Sequence, residues 1–135
     1  MSISDLYAEQ NRAYQQKEKY EVKRKDVKEK IRRLKSAQSQ VSSIKSQIAG
    51  KRSDAALLFM VDKWKGNKFN EHLEEIRDNL MNGYNIYYDE TDDILDQIRA
   101  KIAKLENESR EIQGIIGDIM NWINDIATAI INFID

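Results

Sequence analysis

Apolar residues recur every seven positions through the first third of the chain: Leu6, Ala13, Tyr20, Val27, Leu34, Val41 and Ile48. Ile3, Tyr7, Tyr14, Ile31, Ala37 and Ile44 widen this column into a stripe. A period of seven keeps one helical stripe turned toward a partner helix, as in a left-handed supercoil. The companion column is mostly polar (Gln10, Lys17, Arg24, Gln38, Lys45). The predicted seam is therefore narrow, with the aliphatic stems of Lys and Arg covering its edges. Ser4-Asp5 supplies short oxygen-bearing side chains for an N-cap, and Gly50 is the predicted stop. The pattern predicts a first helix over about 4–49. Ser53-Asp54 then reads as a second cap. It precedes seven apolar residues, Ala55 to Val61, whose Ala, Leu and Met content favours a short buried helix over a strand.

The second half repeats the logic more strongly. Asn70 followed by Glu71, Glu74 and Glu75 places acids at the positive end of a helix dipole. Phe69, Leu73, Ile76 and Leu80 set its apolar face. Leu73, Leu80, Tyr87 and Ile94 stay seven apart across Asn82-Gly83, so the helix is predicted to continue there, over about 70–110. Two columns then run together. Ile98, Leu105, Ile112, Ile119, Ile126 and Phe133 form one; Leu95, Ile102, Ile116, Ile123 and Ile130 form the other, with Ser109 its polar member. A first helix ending near 49 reaches only to about residue 110 of the second. Residues 111–134 are then expected to extend beyond the hairpin as an apolar helical segment, with Gly114 and Gly117 where a bend would fall. An apolar face of that size does not normally stay in water. Folding back as a third helix, pairing with a second copy, and binding a different protein all remain open. The expected partner-binding face is Ile98, Ile102, Leu105, Ile112, Ile116, Ile119, Ile123, Ile126 and Ile130.

Between the two patterns lies Asp62-Lys63-Trp64-Lys65-Gly66-Asn67-Lys68-Phe69. Gly66 and Asn67 tolerate a left-handed backbone and so can end one helix and reverse the chain. Trp64 and Phe69 flank that reversal with large rings suited to plugging the end of a seam. The predicted fold is all-α: a single domain over 1–135, a long antiparallel coiled-coil-like helical hairpin, a short helix and Trp-x-Gly turn at about 53–69, and the C-terminal apolar extension.

Composition narrows the chemistry. In 135 residues there is no cysteine and no proline, so neither a disulfide framework nor thiol chemistry is available. The lone histidine, His72, lacks histidine partners for a metal and is expected on an exposed helix face. Asp89, Asp92, Asp93 and Asp96 lack the alternation around a glycine that a calcium loop requires. No nucleophile–base pair and no glycine-rich phosphate loop is apparent, so no catalytic residue, metal or cofactor is expected. Residues 1–52 carry 14 Lys/Arg against 6 Asp/Glu, and residues 53–135 carry 8 against 17. The basic half is interleaved with Glu18, Glu21, Asp26 and Glu29, so the two halves are read as mutually attractive helices rather than as a nucleic-acid surface. The start Met-Ser-Ile-Ser-Asp-Leu is not expected to act as a Sec signal, and no apolar run has the length of a membrane span. Around Trp122 the polar face carries Asp118, Asn121, Asn124 and Asp125 without Lys or Arg, which favours a protein partner over a lipid surface.

Trp64-Lys65-Gly66 between two long helices, with Phe69 following, resembles the WXG superfamily of helical hairpins handled by type VII secretion in Gram-positive bacteria. The mid-chain position and the Lys/Glu-rich seam are most similar to the YwqH-like proteins encoded beside LXG toxins. The resemblance covers roughly residues 5–109. It implies a non-catalytic, chaperone-like adaptor that binds the helical N-terminal domain of an LXG toxin. A second small helical protein and the secretion machinery are further implied partners. The chain would be cytoplasmic when made, with co-export left open. Such substrates carry an aromatic-x-x-x-acid secretion signal, which Tyr88 and Asp92 match, as do Tyr14 and Glu18. A spacing of four puts both side chains on one helix face. The alternative reading is a self-assembling structural coiled-coil protein, such as a phage or surface component.

Overall fold

The computed structural model describes residues 2–60 and 67–134, with side chains for 2–57 and 71–134. The chain is all-α, a two-helix hairpin of α1 (Ile3–Met60) and α2 (Asn67–Ile134). The Trp64-Lys65-Gly66 reversal and the Phe69 side chain lie outside the described residues; the backbone of Phe69 is in the first turn of α2. The helices pack in two compact units, Met1–Arg33 with Ile102–Asp135, and Leu34–Lys101.

Helix α1 begins at Ile3, and its cap lies two residues before Ser4. Ser2 is the cap. Its hydroxyl accepts the Asp5 amide at 3.1 Å, and the Asp5 carboxylate accepts the Ser2 amide at 3.0 Å. These reciprocal bonds satisfy backbone donors that a helix start leaves open.

Gly50 does not end α1, and Ser53-Asp54 caps nothing, because the helix runs unbroken to Met60. One interior glycine costs about 1 kcal/mol relative to Ala. Breaking there would open two new helix ends with unpaired backbone groups. It would also loosen Arg52, which donates to Asn85 at 3.0 Å, and Ala55, which is buried. Helix α2 likewise passes Gly114 and Gly117 without a break and is one element to Ile134.

The first unit contains the apolar core. Leu6 and Ala13 of α1 pack with Ile119, Ile123, Ile126 and Ile130 of α2, flanked by Tyr20, Trp122 and Ala129. Val27, Ile102, Leu105, Ile112 and Ile116 are also buried in this unit. The predicted extension beyond the hairpin is therefore corrected: residues 112–130 are covered by the chain's own N-terminal residues.

The second unit is leaner. Leu95 is 1% exposed and is its most buried large side chain. Thr91 is also buried, and its hydroxyl donates to the Tyr87 carbonyl at 2.7 Å, so the polar atom is satisfied. Here Lys45 pairs with Asp92 and Arg52 with Asn85. Partner numbers fall on α2 as they rise on α1, so the helices are antiparallel.

Candidate functional site

A polar cluster joins the two helices in the second unit. Lys45 and Arg52 stand seven residues apart on α1 and so share a face. On α2, Asn85, Tyr88 and Asp92 are spaced by three and four, which also places them on one face. Lys45 Nζ donates to Asp92 Oδ1. The same ammonium is 4.8 Å from the Tyr88 ring centre, and the Arg52 guanidinium is 5.1 Å from it. Tyr88 is thus held by two cations, each attracted to the ring's negative face. The Asp92 hydrogen bond raises the Lys45 pKa above its ordinary value, against a smaller opposing effect of burial. Ser42, Ser46, Ala49, Leu95 and Arg99 complete an open depression around this cluster. The arrangement clasps α1 to α2 and fixes their register in this unit.

A family model for YwqH-like proteins matches residues 8–128. The chain belongs to the YwqH-like family. No curated protein and no solved structure matches it. The span matched in this YwqH-like chain includes Trp64, Gly66 and Phe69, the residues that carried the resemblance.

Tyr88 and Asp92 do share one face of α2 in the YwqH-like hairpin, and both are engaged by Lys45. The expected partner-binding face is placed differently. Ile102, Leu105, Ile112, Ile116, Ile119, Ile123, Ile126 and Ile130 are buried, and Ile98 is half-buried. In the folded chain they are core rather than a surface. Trp122 belongs to the same packing, and its indole N–H donates to Glu9 Oε1 at 3.0 Å.

Among the described residues, no group of three or more His, Cys, Asp or Glu is placed to hold a metal ion. The acidic run disperses: Asp92 binds Lys45, and Asp96 pairs with Arg99 at 3.4 Å. His72 is exposed. No described helix is long and apolar enough to cross a membrane.

One surface was not anticipated. Leu80, Tyr87 and Ile94, expected to face α1, are 39%, 62% and 47% exposed, and Ile76 beside them is 43% exposed. The residues of α2 that face α1 are instead Met81, Tyr84, Tyr88, Thr91 and Leu95, each half-buried or buried. The sequence did hold a signal for this. Stepping back by sevens from Leu95 and Ile98 names Tyr88, Met81, Thr91 and Tyr84.

Proposed function

We propose that this YwqH-like chain is a non-catalytic accessory protein that binds the helical N-terminal domain of an LXG toxin and helps present it for type VII secretion. Membership of the family across residues 8–128 carries this reading. The all-α hairpin is consistent with it, since two long helices offer extended faces to further helices rather than a pocket for a small substrate. Binding is expected to use side chains outside the 102–130 core, which the chain already fills with its own residues. The protein is made in the cytoplasm on this reading, and Tyr88 with Asp92 is the proposed export element.

Co-expression with the helical domain of a neighbouring LXG toxin tests the proposal. A stable complex on affinity purification followed by size exclusion is expected. Two soluble, folded partners that never co-elute would sink it. The export element is tested separately: Tyr88→Ala should reduce secretion of the toxin while leaving the complex intact.

A further inference from the structure

The Tyr88–Asp92 pair, proposed above as the export element, is held by the chain's own first helix. Tyr88 belongs to the column of α2 that faces α1 and is half-buried, whereas its neighbour Tyr87 is 62% exposed. One side chain grips both members of the pair: the Lys45 ammonium donates to Asp92 Oδ1 and lies 4.8 Å from the Tyr88 ring centre. Arg52, two turns further along α1, places a second cation 5.1 Å from the same ring. In the chain's other aromatic-x-x-x-acid match, Tyr14 is 49% exposed and Glu18 is exposed too.

A protein that docks on a ring and a carboxylate one helical turn apart must supply contacts to both. At Tyr88 and Asp92, α1 has already supplied them. Asp92 has its donor, and the ring carries cations of the kind that its negative face attracts. A competitor has first to displace Lys45, whose side chain is only 25% exposed. The hold is also releasable. The Asp92 side chain is 48% exposed, and ion pairs open to water to that extent stabilise weakly. Such a contact can break without unfolding the helices that carry it.

We propose that Lys45 and Arg52 mask the export element, so that the closed hairpin withholds Tyr88 and Asp92 from the secretion machinery until α1 lets them go. This regulation rests on the reading of the pair as that element. Because Lys45 contacts both members, its displacement frees the carboxylate and uncovers part of the ring in a single step. Arg52 is steadied by its bond to Asn85, three residues before Tyr88, and so keeps the second cation at the ring.

Two measurements on the full chain test it. In the purified protein, nitration of Tyr88 by tetranitromethane, mapped by peptide mass spectrometry, reads how far the ring is covered. Lys45→Gln should raise its rate by roughly three- to tenfold at unchanged helicity, and Arg52→Gln alone should raise it too. Lys45→Arg keeps the charge and should stay near the parent. In the producing cells, Lys45→Gln should raise toxin secretion, and adding Tyr88→Ala should abolish the gain. A nitration rate unmoved by either Gln variant overturns the masking. So does secretion that stays level or falls in Lys45→Gln while Tyr88→Ala alone still blocks it. The pair would then be read in its clasped form, and the export reading would stand. Normal secretion by Tyr88→Ala removes the export element itself, whatever the nitration shows, and the proposal falls with it.

Discussion

The Trp122 indole N–H donates to Glu9 Oε1 at 3.0 Å, joining side chains 113 positions apart in sequence. The bond stands beside the Leu6–Ile130 core and ties the two ends of the chain together. Trp122→Phe keeps the ring and removes the donor. It should destabilise the chain by about 1.5–3 kcal/mol, the usual loss for a hydrogen bond to a charged acceptor. In a double-mutant cycle with Glu9→Ala, which removes the acceptor, urea melts should show coupling between the two positions, and purely additive effects would remove the bond's role.

Leu95 and Ile94 are adjacent yet face opposite fates. Leu95→Ala empties the best-buried site of its unit and should cost about 2–5 kcal/mol. Ile94→Ala should cost under about 1 kcal/mol because the side chain is already half in water. Paired chemical denaturation curves check this directly. Equal losses would mean that α2 presents its other column to α1.

That pair also marks how far the sequence could be read. Both columns are almost wholly apolar from Leu95 onward, so helix, period and facing residues of the first unit are legible without a structure. Before Leu95 the same register holds Thr91, Tyr88, Tyr84 and Met81, which are less apolar than Leu73, Leu80, Tyr87 and Ile94. Hydrophobicity alone therefore selects the wrong flank, while continuity of register selects the right one. The C-terminal face was misplaced for a different reason. Gly50 was weighed as a local propensity, but tertiary contacts of Ala55 and Arg52 carry α1 past it. In the first unit Leu6 and Ala13 of α1 pack against Ile119 to Ile130.

Ile119 and Ile126 sit in the core of the first unit. Ile119→Asp with Ile126→Asp buries two unpaired carboxylates, and together they should destabilise by more than about 4 kcal/mol. Hydrogen exchange should accelerate through residues 3–33 and 102–134. A double variant with native protection would return these side chains to a surface role.

Acid should weaken the protein at Glu29. Arg32 holds this carboxylate through bonds of 2.9 and 2.6 Å, with Arg33 adding a third at 3.3 Å. Its pKa falls from 4.5 to about 2. The Ser2 amide lowers Asp5 in the same direction. A depressed carboxylate stabilises the fold above its unfolded pKa and loses that contribution as pH falls through the folded value. Stability should therefore decline between about pH 4.5 and 2. Denaturant midpoints taken across this range should fall less steeply in Glu29→Gln. Salt should blunt the effect in the parent, because the pairs are exposed.

Gly114 and Gly117 give the sharpest test of an unbroken α2. A β carbon built at either position meets nothing within 4 Å, and the same holds at Gly50 and Gly83. None shows a left-handed backbone, so an L-residue fits each without strain. Alanine at such a site restricts the unfolded chain without crowding the folded one. Each substitution should add about 0.4–1 kcal/mol of stability. Gly114 and Gly117 are neighbours on α2, so their double variant is compared with the two singles directly. If the helix bent at Gly114-Ile115-Ile116-Gly117, alanine there would oppose the bend and lower stability. Thermal melts of Gly114→Ala and Gly117→Ala, singly and together, separate a straight helix from a hinge.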